Sequence, residues 1–538
     1  MSMMDNSVEA NVYHYNAAIS ACQKGGAWQL ALSLLSSMPD MRVLRDEFSC
    51  GSAISACERA CQWQLALSLL STMPDMKMSP DTISCSAAIS ACSKGSQWEL
   101  ATGLLRSMPG IKVMPNEITC NAAISACEKA GRWQLALSLV SSMPGMRLVP
   151  DEISYNAAIS ACEKGAQWQM ALSLLNTMPD MKVMPNRISY NAAISACEKI
   201  GEWNLALRLL SRMTAARVMP DEISYSAAIS SCEKGGQWRH ALSLLSNMPN
   251  VRLMPNRITC SAAISACEKG YQWQLAVSLL LGMPEMRIIP NEISFNAAIS
   301  ACEKAGVWQL ALSLLSSMPD TSVLPDIISY NAAISACGKG GQFHLALGLL
   351  ISMRDARLTP NTISYNSAIS ACTKGGQWRL ALNLLNSMPD MMVVPNEISY
   401  NAAISSCERS KWQLALHLLS RMSGMQVMPN EVSYSAAISS CSQSGRWQLA
   451  LSLLSSMLEL RVMPNQVSCS AAISACSNGG RMELALSLLR SMPDLRIVFD
   501  EITYDAAISA CDTGGQWKQA LELLSLYQHF IIANLPQG

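Results

Sequence analysis

Residues 152–186 read EISYNAAISACEKGAQWQMALSLLNTMPDMKVMPN, and this 35-residue unit returns from Val12 to the C-terminus in fourteen complete copies and a partial one. Self-similarity at such a period marks a stacked-repeat chain, because one unit cannot bury its own apolar face. All thirteen Trp share one phase of the repeat, from Trp28 to Trp517, with Phe343 and Met482 standing there in two copies. The shared part therefore reads as core, and function is sought in what differs between copies.

Each copy reads as two helices. Tyr155, Ala158, Ile159 and Cys162 fall at i, i+3, i+4 and i+7, one stripe of a first helix. Asp151 is placed to cap it, Glu152 suits the positive end of its dipole, and Gly165 is expected to stop it in the left-handed conformation. A second helix carries Trp168, Ala171, Leu172, Leu175 and Met178 on its inner face and ends at Pro179, with Pro185 preceding the next cap, Asn186. Small Ala157, Ala158 and Ala161 allow close approach of neighbouring first helices. The expected fold is all-α, a right-handed α-solenoid of stacked helix–turn–helix repeats, by analogy with other helical-pair solenoids.

The expected organisation is a short lead over residues 1–11, fourteen tandem repeats over 12–500, a partial fifteenth over 501–525 and a tail over 526–538. In that tail Tyr527, Phe530, Ile531 and Ile532 are placed to cap the stack. The twelfth repeat lacks one residue, CERSKW replacing the longer CEKGAQW, a deletion expected to sit in the inter-helix loop.

Hydrophobic residues make up 50% of the chain and charged ones 14%, too apolar for disorder. The formal net charge is zero, unusual for a nucleic-acid binder. Of the 21 Cys, fifteen occupy one first-helix phase, from Cys22 to Cys511, and five, such as Cys85 and Cys120, alternate with Tyr. No CxxC occurs and the five His are scattered, so metal-ligand spacing is missing and the thiols read as small buried hydrophobes. Pro and Gly interrupt every apolar run short of a membrane span. MSMMDNSVEAN lacks the Arg-rich character of a transit peptide. No catalytic group is expected, since the Ser, Cys and Glu recur in every copy and no His stands near a nucleophile on non-repeated sequence.

A 35-residue helical pair with a Tyr-Asn entry, a Gly turn, an Ala-Leu-x-Leu-Leu second helix and a Pro-Asp or Pro-Asn exit resembles the pentatricopeptide repeat. The resemblance covers residues 12 to about 525. It implies single-stranded RNA as partner, one base per repeat, in organellar RNA processing, stability, splicing or translation, in chloroplast or mitochondrion. It also implies RNA-processing proteins recruited to that RNA; no cofactor, metal, membrane or small-molecule substrate is expected.

The family's specifying residues are the one after the first-helix Tyr or Cys and the last of the repeat. Here they pair, in order, as Asn16/Asp46, Gly51/Asp81, Ser86/Asn116, Asn121/Asp151, Asn156/Asn186, Asn191/Asp221 and Ser226/Asn256. The series continues with Ser261/Asn291, Asn296/Asp326, Asn331/Asn361, Asn366/Asn396, Asn401/Asn430, Ser435/Asn465 and Ser470/Asp500. Amides and hydroxyls both donate and accept, as reading a Watson–Crick edge requires, although Asp and Asn are also good N-caps. Carried over, the family's code reads U-n-A-U-Y-U-A-A-U-Y-Y-Y-A-G from the 5′ end. A cation closes the first helix in twelve copies: Lys24, Arg59, Lys94, Lys129, Lys164, Lys199, Lys234, Lys269, Lys304, Lys339, Lys374 and Arg409. Stacked, these form a stripe suited to RNA phosphates, or they complement the helix dipole. The rival reading is a protein-interaction scaffold, favoured by the neutral charge and near-identical copies.

Overall fold

A computed structural model describes residues 11–407, 411–492, 497 and 501–513. Among these residues there are 29 α-helices, α1 (Val12–Gly25) to α29 (Glu501–Thr513), short 3-10 turns and no strand. The chain forms two compact units, Met1–Gly270 and Tyr271–Gly538. Each is all-α, a solenoid of stacked helix pairs.

In the first unit α7 (Glu117–Lys129) packs on α9 (Glu152–Lys164), and α9 on α11 (Arg187–Ile200). The even-numbered α10 (Trp168–Thr177) is wedged between α9 and α11. The second unit follows the same scheme, with α19 (Ile327–Lys339) on α21 (Thr362–Lys374) and α20 (Phe343–Asp355) between them. Small side chains permit this: in α9, Ala158, Ile159, Ala161 and Cys162 are wholly buried, and Ala171 and Leu175 of α10, with Met178 just past its end, close the core. Trp168 and Leu172 are only half-buried.

The helix starts follow the sequence. Asp151 accepts from the Ser154 backbone N–H at 2.9 Å, and the Asp151 N–H donates to Ser154 Oγ at 3.2 Å. This is a reciprocal capping box with Ser, not Glu, at the third helical position. The helix ends follow the sequence in position, α9 stopping at Lys164 with Gly165 as its cap, but at Gly165 not in backbone geometry. Gly165 has φ −82°, and the left-handed residue is the next one, Ala166, at φ 53°. Glycine is useful at 165 because the indole of the preceding repeat lies on it: a Cβ there would stand 2.3 Å from Trp133 Cδ1. The same arrangement joins Gly95 to Trp63, Gly270 to Trp238 and Gly340 to Trp308. Pro179 does more than end a helix, since it opens a 3-10 turn, Pro179–Met181. The shortened turn of the twelfth repeat, residues 408–410, lies outside the described residues; the first helix before it, α23 (Glu397–Ser406), is ten residues long where α25 (Glu431–Gln443) has thirteen. The tail over 526–538 and its capping residues lie outside the described residues.

All 21 thiols are free, and only Cys61 is exposed. Burial pushes Cys162, Cys197 and Cys232 up to about 11 from 9.0. A raised folded-state pKa favours the protonated form, so its stabilisation is complete below pH 9 and is lost as pH rises toward 11. Urea unfolding is expected to show constant stability at pH 7–8.5 and a decline by pH 10.5; a flat profile contradicts burial of the column. Ile159→Ala is expected to lower stability by about 2–5 kcal/mol, since it removes a fully buried side chain from a tight layer, as a shift in the urea midpoint would show.

Candidate nucleic-acid interface

The two candidate base-reading residues of a repeat are 29 or 30 positions apart in sequence, yet packing of one first helix on the next brings most pairs into contact. Asn16 Nδ2 donates to Asp46 Oδ2 at 2.8 Å, and Asn121 Nδ2 to Asp151 Oδ1 at 3.0 Å. Asn191 does the same to Asp221, and Asn296 to Asp326, at 3.0 and 3.1 Å. Where the repeat ends in Asn the contact persists: Asn331 to Asn361 at 3.4 Å, Asn366 to Asn396 at 3.1 Å and Asn401 to Asn430 at 3.2 Å. Ser435 reaches Asn465 at 3.2 Å.

In several copies with Ser at the first position the hydroxyl bonds the backbone of its own helix. Ser86 turns onto the Thr82 carbonyl of its own helix, Ser226 onto Glu222, Ser261 onto Arg257 and Ser470 onto Val467. Gly51 has open space where a Cβ would stand. In these copies, as in the others, the closing residue caps the next first helix: Asp81, Asn116, Asn256 and Asn291 each accept from its backbone. Asn256 Oδ1 accepts from the Thr259 backbone N–H at 3.0 Å, and Asn291 Oδ1 from the Ser294 backbone N–H at 3.0 Å. The physical reason is the helix start itself, whose backbone N–H groups lack carbonyl partners and take the nearest side-chain oxygen. Ser294 Oγ donates to Asn291 Oδ1 as well, at 2.5 Å. Asp500 lies outside the described residues.

A third residue holds several of the Asn amides, and sequence reasoning missed it. Ser154 Oγ donates to Asn121 Oδ1 at 2.5 Å, Ser224 to Asn191 at 2.5 Å, Ser364 to Asn331 at 2.6 Å and Ser433 to Asn401 at 2.6 Å. These are the capping-box residues, wholly buried. The signal was a Ser or Thr three positions after every cap from Asp46 onward. In Asn121 the amide thus gives one N–H to the carboxylate and takes one O–H on its carbonyl, which fixes its orientation and leaves one donor and one acceptor unspent. Burial pushes the Asp151 carboxyl up, but hydrogen bonds from Ser154 and Asn121 outweigh it and hold the group below its ordinary value. It stays ionised and can only accept. Asn16, Asn156 and Asn296 differ, each with Oδ1 buried and without a partner among the described residues. Beside Asn156, Asn186 Nδ2 donates to Glu152.

The second helical position of each first helix forms a further column, also unread in the sequence. Ile153 is 61% exposed, Ile188 58% and Ile223 59%, with Tyr13 and Phe48 in the first two copies. Large apolar side chains in water, beside the fixed amides, are an unpartnered contact surface.

The cations of the Lys column mostly have partners. Most of the lysines reach the Glu of the preceding repeat: Lys94 to Glu58 at 3.1 Å, Lys164 to Glu128 at 3.0 Å, Lys199 to Glu163 at 3.8 Å, Lys234 to Glu198 at 3.3 Å, Lys269 to Glu233 at 2.9 Å and Lys339 to Glu303 at 3.0 Å. Their partial exposure makes each pair worth at most about 1 kcal/mol. Where the preceding repeat lacks the acid the cation finds a carbonyl, Arg59 on Lys24 and Lys129 on Ser93. Lys24 and Lys374 also face no such acid, Gly338 standing opposite Lys374. Lys304 stacks at 5.7 Å on Tyr271, and Arg409 lies outside the described residues. Burial pushes the Glu163 carboxyl up from its usual value against the pull of Lys199 and Lys164. The stripe is therefore largely neutralised, because Glu precedes Lys in most copies and the stack offsets one repeat against the next.

Among the described residues no group of three or more His, Cys, Asp or Glu is placed to hold a metal, and no helix is long and apolar enough to cross a membrane. Ser154→Ala is expected to destabilise the chain by about 1 kcal/mol, through loss of half a capping box and of the bond to Asn121. Unchanged urea midpoints would show that the clamp carries no energy.

The family described as the PPR repeat family matches residues 115–164, 150–198, 185–234, 290–339, 325–374 and 360–409. The PPR repeat matches 13–43, 223–252, 432–462 and 467–497, and the pentatricopeptide repeat domain matches 243–305. A search of the curated proteins finds no matching relative. Among solved structures, the pentatricopeptide repeat protein PPR10 in complex with an 18-nt psaJ RNA element is 19% identical, over 97% of this chain and 86% of that one, with a TM-score of 0.51. The crystal structure of PPR10 from maize is 18% identical over 96% and 93%, with a TM-score of 0.49. At that identity the first shows a shared fold. With family matches spread from residue 13 to residue 497, this chain belongs to the pentatricopeptide repeat family.

Proposed function

We propose that the chain binds single-stranded RNA with sequence selectivity, one base per helix pair, and acts in organellar RNA processing, stability, splicing or translation. The observation that carries this is the clamped amide beside the cap, as in Asn121 between Asp151 and Ser154. A solvated polar residue would not need its two ends fixed; a residue that presents a chosen donor and acceptor does. Membership of the family and the fold shared with an RNA-bound relative support the choice of ligand.

The chemistry of the pair supports the expected code. A carboxylate only accepts, so Asp at the end of a repeat suits a base whose Watson–Crick edge carries an N–H, uracil or guanine. Asn adds a donor and suits the bare ring nitrogen of cytosine or adenine; in Asn256 and Asn291, whose carbonyl is spent on the cap, that donor is the amide Nδ2. Asn at the first position leaves room for a pyrimidine, and the shorter Ser for a purine. Exposed Ile153 and its equivalents offer apolar surface to the base faces. Repeats one to seven, with every base-reading residue in the first unit, read U-n-A-U-Y-U-A; repeats nine to fourteen read U-Y-Y-Y-A-G.

A second reading rests on another exposed column: Met184, Met219 and Met254, 65 to 72% exposed, are adaptable apolar surface of the kind protein partners use. Gel-shift titration of the full chain separates the two. The predicted RNA should bind more tightly than its permutation, and Asp151→Asn should move the fourth base from U toward C by about 1–3 kcal/mol, the usual worth of a specific base contact. Asn caps a helix as well as Asp, so this variant keeps its fold. Equal affinity for predicted and permuted RNA sinks the sequence reading; no RNA binding at all leaves the scaffold.

A further inference from the structure

Among the described residues, the loops from a second helix to the next first helix turn through one left-handed residue, and glycine never fills it. In the first unit it is Arg42, Lys77, Lys112, Arg147, Lys182, Arg217 and Arg252, seven consecutive copies with φ of 58 to 62°. In the second unit the same station holds Arg287, Ser322, Arg357, Met392, Gln426 and Arg461 in turn. A left-handed non-glycine residue costs about 1–2 kcal/mol, so a cation in ten of thirteen copies is a residue choice the turn itself does not favour. A positive charge complements the end of the second helix. The uncharged Ser322, Met392 and Gln426 keep the same geometry, however, so the fold does not require it.

All seven side chains of the first unit are exposed, and none makes a hydrogen bond or ion pair among the described residues. The position two residues earlier is acidic in three of these loops, Asp40, Asp75 and Asp180. It is Gly110, Gly145, Ala215 and Asn250 in the others. Lys112, Arg147, Arg217 and Arg252 are thus the least opposed cations of the set. Each stands four residues before the cap that closes its repeat, at most about 14 Å along the chain. The lysines first expected to meet phosphate are mostly engaged by glutamates, as described above.

We infer that these left-handed loop cations of the first unit are a second basic rail that binds the phosphodiester backbone of single-stranded RNA. It supplies the sequence-independent part of affinity, and the Lys–Glu ladder does not. This rests on the RNA reading above and deepens it. The rail is continuous in the first unit and broken by three uncharged residues in the second, so the electrostatic share of binding belongs mainly to the first.

The test is the salt dependence of affinity of the full chain for the predicted 14-nucleotide RNA. The variant Lys112→Gln, Arg147→Gln, Arg217→Gln, Arg252→Gln removes four contacts, each worth about 0.7 in the slope of log K against log salt for a single strand. Its slope should fall by up to about 3, with predicted RNA still preferred over permuted. Gln426 shows that glutamine is accommodated at this station. The charge-conserving variant Lys112→Arg, Arg147→Lys, Arg217→Lys, Arg252→Lys should keep the parent slope. A neutral variant with the parent slope, or a charge-conserving variant that loses as much as the neutral one, overturns the rail while the RNA reading stands. A parent chain that binds no RNA overturns both.

Discussion

The side-chain cap at the start of each first helix is the interaction on which most else depends. An uncapped helix leaves four backbone N–H groups without partners. Here an Asp or Asn satisfies one of them, and its Ser or Thr partner three residues on returns the bond. Because first helices pack directly on one another, the cap of one repeat in most copies also meets the first-position residue of the repeat before. One carboxylate thereby starts a helix, fixes the register of two neighbours and orients the candidate base-reading residue. Local structure, packing and candidate site share the same atoms, which explains why the station accepts only Asp and Asn.

Much of this is legible in the sequence because the repeat averages out local ambiguity. The helical stripe of Tyr155, Ala158, Ile159 and Cys162 and the Asp151 cap follow from spacing and residue chemistry alone. What stayed hidden depends on how one repeat sits on the next. Gly165 looks like a left-handed stop, but its role comes from the indole of Trp133, 32 residues earlier. Ser154 looks like an ordinary first-turn serine until it is found between a cap and an amide. The exposure of Ile153 cannot be read from an apolar letter at the second helical position.

The neutral net charge finds its explanation in the same offset. Glu and Lys adjacent in sequence do not pair with each other; Lys164 and Lys234, like most of the column, are drawn to the Glu of the preceding repeat. The result is a ladder of exposed ion pairs, each weak and screened by salt, that contributes more to stacking order than to a positive field. Basic character must therefore be sought outside the ladder, in side chains with no acid opposite them.

The contacts that join neighbours recur at nearly constant offsets of about 30 to 36 residues, whichever copies are compared. Interfaces this alike are interchangeable. Removal or duplication of a whole unit in the gene would join surfaces that already fit, so the array can lengthen or shorten without the design of a new junction. The same likeness exposes the nascent chain to error, since a helix pair emerging late can dock against an early one nearly as well as against its true neighbour. The few copies that differ, such as the shortened α23, are the marks by which such a chain tells its repeats apart.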